Sequence, residues 1–443
     1  MKSLRFALPL AGLCAVSAAS AHTGPFDPAF GEGGLASYAF QPVDGLLADA
    51  AVVGCAGPNG SFVVVGTASN GVRIVTARLR PDGRYDTSFS GDGKESFDSV
   101  ADHMSPAPGV CQPNGDPVLV RAITGAGGEQ SMRLVRVRRD TGLPDPAFGN
   151  GGIVDLDLDL HVTGLGQAEV PLGLNVLANG DLVVSGYASN AQGGVSGFVA
   201  LLDDAGSVRA ARLIEAWHLT TTLDAPDGSL WTFGSSGNGG LRVTLDRNTL
   251  AAGLRVTADL GSTVHAGAAR VVRPGAVAMA VVARNTDASH RPLLMLFRAD
   301  VATPLAMASP AFGGNAFGMS DAVGTQGVQV LPGGRVLYAG TARDLASSTD
   351  DALYFAMARV GREPGDDEWE HAFGHNGMQV GRFEPDAPGC AGQAPRQLLH
   401  RVTAWLGRPA FVGRVDGNCV DGSAENYLVG RVETNYLFAD GMD

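Results

Sequence analysis

Apolar positions in this chain come in short runs, not at helical spacing. Between Asn59 and Phe97, Phe62 to Val65 form an unbroken apolar run, as expected of a strand covered on both faces. From Val75 to Arg80 the pattern alternates, with Val75, Ala77 and Leu79 on one side and Thr76, Arg78 and Arg80 on the other. That is the period of a half-exposed strand. Turn residues punctuate the segment at Asn59-Gly60, Ser69-Asn70-Gly71, Pro81-Asp82-Gly83 and Gly91-Asp92-Gly93, because Gly accepts positive φ without steric cost. No long window places apolar residues at i, i+3, i+4 and i+7 between caps, so helix is not expected.

The unit recurs. A short aromatic stop reads FDPAFGEGG around Phe30, YDTSFSGDG around Phe89, PDPAFGNGG around Phe148, SPAFGGNAFG around Phe312 and EHAFGHNG around Phe373. The first three are about 59 residues apart. Between Phe148 and Phe312 the stop decays, but a second marker bridges the gap. A Gly turn introduces an apolar strand at PNGSFVVVG, PNGDPVLVR, ANGDLVVSG, PDGSLWTFG, RPGAVAMAV, PGGRVLYAG and LGRPAFVGR. Its glycines are Gly60, Gly115, Gly180, Gly228, Gly275, Gly333 or Gly334, and Gly407. Seven copies imply seven units.

Each unit reads as four strands. In the first they span roughly 35–40, 47–53, 62–67 and 72–80, and in the last roughly 378–383, 397–405, 409–415 and 427–432. Seven four-stranded units predict an all-β, seven-bladed β-propeller filling 22–443 as one domain, with an open β-solenoid as the alternative. The run of NG, apolar strand, second apolar strand ending in DG, then DxSFGxxG resembles the delta-60 repeat of exported bacterial proteins. NGSFVVVGTAS with RLRPDGRYDTSFSGDG, and NGDPVLVRA with RVRRDTGLPDPAFGNGG, carry the likeness best. The units from Gly206 to Pro304 lack its SFG core. The resemblance implies a repeat fold and export, and brings no catalytic residues. The closing NYLFADGMD falls where a last stop is due and reads as a degenerate copy, with its similarity to the short IFxDGFE-like ends of exported bacterial proteins as the alternative.

The first residues, MKSLRFALPLAGLCAVSAASA, combine Lys2 and Arg5, an apolar Leu8 to Val16 and a small-residue Ala19-Ser20-Ala21. This is the pattern of a secretory signal peptide over 1–21, and predicts a secreted (periplasmic or extracellular) mature chain from His22. Leu13 before Cys14 argues against a lipid anchor, and no later run approaches the roughly 18 apolar residues of a membrane span. The net charge of −13 and the absence of Lys or Arg clusters argue against nucleic acid.

No metal helix, nucleophile elbow, phosphate loop or dinucleotide fingerprint occurs in the sequence, and no catalytic, cofactor or metal residue is nominated. Asp155, Asp157 and Asp159 with His161 read as one face of a solvated strand, whose straight course separates carboxylates too widely for a cation. Asp350-Asp351 reads as a hairpin tip. SFSGDGKES resembles the Asp-box turn of sialidase-type propellers but lacks its Thr-Trp. Of Trp217, Trp231, Trp369 and Trp405, the second and fourth fall in or beside inner strands, and Trp369, in GDDEWEH, is expected to be exposed.

Past the signal four cysteines remain, Cys55, Cys111, Cys390 and Cys419, an even number in an exported chain. Cys55 and Cys111 hold equivalent places before the Gly60 and Gly115 turns. Cys390 and Cys419 fall in two loops of the last unit that emerge at one end of an up-and-down blade. The expected pairs are Cys55–Cys111 and Cys390–Cys419, the first requiring that equivalent points of two blades approach within about 7 Å; four reduced thiols are the alternative. The functional expectation is a non-catalytic, monomeric binding scaffold for a protein or glycan, held at the loop faces. A hydrolase or lyase assembled in the central channel is the alternative, to be recognised by carboxylates or histidines pointing into that channel.

Overall fold

The computed structural model describes residues 26–38, 50–68, 73–98, 108–125, 128–163, 165–190, 194–215, 218–235, 239–259, 263–284, 290–299, 303–308, 317–319, 327–344, 351–363, 365–371, 373, 378–381, 397–416 and 425–433. Its strands form seven antiparallel sheets arranged as blades of a β-propeller. Blade 1 runs Ala50–Ala56, Phe62–Ala68, Arg73–Leu79 and Lys94–Asp98, each strand paired with the next. The first strands of the blades are Ala50–Ala56, Gly109–Cys111, Leu165–Val176, His218–Asp224, Thr263–Arg273, Gly327–Val330 and Gln397–Trp405. Each of these touches the next, and the last touches the first, so they line the central channel. In blade 6 the first and fourth strands are each split in two.

The ring closes by exchange. Leu35–Tyr38 pairs with Glu425–Arg431, Leu35 opposite Gly430 and Tyr38 opposite Tyr427. The strand near the N-terminus is therefore the fourth strand of blade 7, not the first of blade 1. Likewise Met378–Gly381 pairs with Asp351–Arg359 and belongs to blade 6. The expected units were out of phase by one strand, because a hydrophobic pattern marks strands but not which sheet they join. Sewing the two ends of the chain into one sheet leaves no open edge between first and last blades.

All seven Gly turns join the first strand of a blade to its second, with φ between 74° and 89°, a conformation that only Gly adopts freely. The second and third strands are sealed between neighbouring blades. Phe62, Val64 and Ala77 of blade 1 pack on Trp405, Val412 and Val429 of blade 7, with Phe62 stacked on Trp405 at 4.6 Å between centroids. The other face of blade 1, through Val63, Val65 and Ile74, meets Leu119, Val135 and Val137 of blade 2. Each such side chain contributes about 1.5–3 kcal/mol by leaving water.

The aromatic stop is a latch. In blade 1 the Asp86 N–H donates to the Arg78 carbonyl at 2.8 Å and the Phe89 N–H to the Asp86 carbonyl at 2.9 Å. The Arg78 side chain then pairs with the Asp86 carboxylate at 2.7 Å and lies over the Phe89 ring. Arg136, Asp145 and Phe148 repeat this in blade 2, and Arg431, Asp27 and Phe30 in blade 7. Blade 6 keeps the backbone pattern with Met357, Glu370 and Phe373, but Glu370 pairs with Arg335 instead. The copy around Phe312 lies outside the described residues.

Each stop also reaches the next blade. Phe30, Phe89 and Phe148 pack on Gly83, Gly142 and Gly206, where a Cβ would stand 3.0, 2.5 and 2.9 Å from the ring. Because residues 26–34 supply the stop that follows the third strand of blade 7, NYLFADGMD is not needed for it. That correction rests on Asp27 occupying the position; the closing residues themselves, from 434, lie outside the described residues.

Candidate functional site

The inner strands depart from regular pairing in a way the sequence encodes. A β-bulge interrupts the first strand of blade 1 between Ala51 and Val53, of blade 3 between Pro171 and Gly173, of blade 4 between Leu219 and Thr221, and of blade 7 between Leu399 and Arg401. Opposite each bulge stands a glycine of the second strand: Gly66, Gly186, Gly234 and Gly413. A Cβ on any of them would lie 1.9–2.1 Å from a first-strand carbonyl oxygen, of Ala50, Val170, His218 or Leu398. The last glycine of PNGSFVVVG and its relatives is thus the signal for a bulge, one that the sequence reading passed over. A bulge adds an unpaired residue and turns side chains toward the edge it interrupts.

Two side chains released this way, Thr220 and His400, tie blades together, and further ties join them. The Thr220 hydroxyl donates to the Gly267 carbonyl at 3.0 Å, from blade 4 to blade 5. His400, the bulged residue of blade 7, meets the Ala51 carbonyl of blade 1 through Nδ1 at 2.7 Å. A carbonyl only accepts, so Nδ1 carries the proton. Burial pushes His400 down to about 4 against that hydrogen bond, aided by Arg414, and the ring is neutral at pH 7. Thr341 of blade 6 accepts from the Leu399 N–H at 2.9 Å. Cys55 and Cys111 join blades 1 and 2 as a disulfide with Cα atoms 5.6 Å apart. They stand on innermost strands, where blades converge, so equivalent positions come within bridging distance. Cys390 and Cys419 lie outside the described residues.

Two inner-strand groups have no such tie. Arg270 of blade 5 hydrogen-bonds only the Ala269 carbonyl next to it, at 2.9 Å, and Arg401 of blade 7 makes no ion pair among the described residues. Both are half-buried. Desolvation lowers the Arg270 pKa, while desolvation and the charge of Arg270 push Arg401 down to about 9. The charge of Arg270 thus reaches Arg401 although their blades are not adjacent.

Glu169, on the first strand of blade 3, is 2 % exposed. Its Oε1 accepts from the Leu158 N–H at 3.0 Å and its Oε2 has no partner. Burial, against the Leu158 hydrogen bond and with help from Asp157 and Asp159, pushes it up to about 8. These aspartates do not share a strand face as expected. The strand Ile153–Leu156 ends before Asp157, whose carboxylate accepts from the Asp159 N–H to start a 3-10 turn over Leu158–Leu160. Asp155 alone stays on the strand, paired with Arg133 at 2.6 Å. No group of three potential metal ligands converges among the described residues.

The remaining candidates resolve into packing. Trp231 and Trp405 are buried, and the Trp405 Nε1–H donates to the Gly60 carbonyl. Trp369 is half-buried in the two-residue strand Glu368–Trp369 against the cluster shared by blades 5 and 6, not exposed. Its acidic neighbours serve the ring, since Asp367 holds Arg298 of blade 5 at 2.6 Å. Asp92, in SFSGDGKES, accepts from the Lys94 N–H and closes its own turn. Trp217 and Asp350 lie outside the described residues, as does the side chain of Asp351.

No family model matches the chain, and no curated protein matches it, so the likeness to the delta-60 repeat stays one of motif. Solved structures match over most of the chain at low identity. A streptogramin B lyase matches at TM-score 0.42 and 9 % identity over 90 % of this chain and 97 % of that one. The polysaccharide lyase Uly1 matches at TM-score 0.45 and 10 % identity over 89 % and 92 %. A protein of unknown function from Dyadobacter fermentans matches at TM-score 0.41 and 12 % identity over 79 % and 98 %. Likeness at this level carries no argument about what this chain binds. Among the described residues, no helix is long and apolar enough to cross a membrane.

Proposed function

We propose that the chain is an exported, non-catalytic binding propeller that takes a protein or glycan at the channel end of its ring. The observation that supports this is the character of the inner strands. Thr220, His400 and the Cys55–Cys111 bridge are committed to joining blades, whereas Arg270 and Arg401 are half-buried charged groups on innermost strands with no partner of opposite sign among the described residues. Charge held in that way, at a cost in desolvation, fits recognition better than packing. Export rests on the signal pattern of residues 1–21. Cell fractionation with N-terminal sequencing of the product tests it, a mature start near His22 being expected.

A hydrolase or lyase is the second reading, favoured by Glu169, a carboxyl of raised pKa with one free oxygen on an inner strand. His400, a neutral imidazole on another inner strand, is engaged with the Ala51 carbonyl of blade 1. A glycan and peptide array run beside a broad hydrolase and lyase screen decides between them. Retention of a ligand without turnover is expected. Turnover that Glu169→Gln abolishes would replace the binding reading with the enzymatic one.

A further inference from the structure

Arg270 and Arg401 stand on the first strands of blades 5 and 7, and these strands border the channel. The bulge between Leu399 and Arg401 breaks the pairing at Arg401 itself, and a shift between Ala266 and Ala269 does the same just before Arg270. Among the described residues, the first strand of blade 6 stands between those of blades 5 and 7 on the inner side. Both side chains are half-buried, neither exposed nor sealed, yet the protein surrounds each closely enough to depress its pKa. Partial access combined with desolvation fits side chains held at the wall of the channel. Like charges brought together in such a place repel, and no described carboxylate acts on either of them. This happens in a protein whose net charge is −13, where a carboxylate counter-ion would be easy to supply.

We propose that Arg270 and Arg401 form an oxoanion site in the channel, receiving a carboxylate, sulfate or phosphate group. Guanidinium forks suit such groups because two parallel N–H donors meet two oxygens, and the low local dielectric strengthens the pairing. An anion between the two arginines converts their mutual repulsion into attraction to a shared partner. Both groups are cationic at neutral pH, since even about 9 for Arg401 lies above it. The site deepens the binding reading, on which it rests, by naming the chemistry of the ligand. Two sources fit: a free inorganic anion, or an anionic group carried on a sugar or peptide.

Titration calorimetry of the mature protein at pH 7 with sodium sulfate, galacturonate and uncharged galactose tests this. Sulfate or galacturonate binds and galactose does not; tighter binding of galacturonate identifies a ligand-borne group, and tighter binding of sulfate a free anion. Arg270→Gln and Arg401→Gln each weaken binding at least tenfold, whereas Arg80→Gln, at the surface beside Asp82, leaves it unchanged. A readout on the unmodified chain guards against variants that fail to fold. Phenylglyoxal labelling mapped by mass spectrometry should show sulfate protecting Arg270 and Arg401 but not Arg80. Absence of both anion binding and protection, or Gln variants that fold and bind like the parent, overturns the site. Array binding that survives such a result leaves the binding propeller standing without its anion site.

Discussion

Blades 1 and 2 and blades 3 and 4 are built on the same four strands but are locked differently. In the first pair the third and fourth strands are joined by a stop that folds back on Arg78 or Arg136 and reaches the next blade. In the second pair tight turns around Asp203 and Asp246 join the same strands. At the positions of Arg78 and Arg136, which lie opposite Val63 and Val118, stand Leu201 opposite Val183 and Thr244 opposite Trp231. Leu201 is buried with Leu177, Ile214, Leu219 and Leu245. Across these four blades arginine and stop are present together or absent together, whereas blade 6 keeps the stop with Met357 at that position and turns its Glu370 to Arg335. The arginine serves the stop's carboxylate, and without that carboxylate the position reverts to ordinary packing. A repeat can lose its most visible motif and keep its blade, because the strands are held by burial and the stop adds a neighbour-to-neighbour clamp.

The comparison predicts where the ring is most easily broken. Asp27 receives Arg431 at 2.7 Å and also pairs with Arg408, and its side chain is 3 % exposed. Asp27→Ala strands two guanidinium groups at the seam between chain ends and should cost about 3–5 kcal/mol, the range for breaking a buried pair. Burial works to raise the Asp27 pKa, but the Ala29 N–H, Arg431 and Arg408 together lower it. Its contribution is thus fully present above the ordinary carboxylate pKa near 3.8 and is lost as pH falls below it toward the folded value. Urea unfolding across pH 2–6 checks this: parent and variant converge at the acid end, and a constant difference would show that the charge is not what Asp27 contributes.

The disulfide clamps blades 1 and 2 covalently. Cys55→Ser with Cys111→Ser opens a loop of 56 residues and should cost roughly 4 kcal/mol by the chain-entropy estimate. The loss should appear as a lower unfolding midpoint without dithiothreitol and vanish when dithiothreitol is present. A midpoint equal to the parent's in both conditions would mean that the stops alone hold these blades.

Much of this architecture was legible in the chain. Turn glycines mark every first hairpin because positive φ leaves few other residues, and short apolar runs mark strands sealed on both faces. The phase was not legible. Leu35–Tyr38 reads as a first strand from local pattern, and only its pairing with Glu425–Arg431 makes it the last. The stop was visible as Phe with flanking Gly, but its arginine partner was hidden as one more polar residue of an alternating strand. The channel groups were harder still. Glu169, Arg270, His400 and Arg401 come from three blades, and nothing local distinguishes a bulged inner strand except the glycine opposite it.

Glu169 provides a titration of opposite sign to that of Asp27. Its folded pKa is raised by burial from 4.5 to about 8, so between those values the folded chain holds a proton that the unfolded chain releases. Stability should fall as pH rises from about 4.5 to about 8. Glu169→Gln keeps the neutral shape and removes that slope, so it should gain on the parent most near pH 8 and least near pH 5. Thermal unfolding at the two pH values reads the difference. An equal shift at both would mean that Glu169 is already ionised in the folded chain.

Arg242 is the sharpest case on the other side of the comparison. It sits on the third strand of blade 4, 4 % exposed, over the Trp231 ring at 4.4 Å. Its Nη1 donates to the Arg298 carbonyl at 3.3 Å, but its Nε has no partner. Desolvation lowers its pKa, and Asp227 opposes this only through space. Arg242→Leu gives up a cation–π contact worth about 0.5–2 kcal/mol and removes an unsatisfied buried donor that costs about 1–3 kcal/mol. The two nearly cancel, so stability should move by less than about 1 kcal/mol, most simply upward. Arg136→Leu, run in parallel, leaves the Asp145 carboxylate and the Asp204 carbonyl without their donor and should cost about 2–3 kcal/mol. Denaturant midpoints of the two variants test the whole distinction: equal losses would show that a buried arginine stabilises a blade with or without its stop.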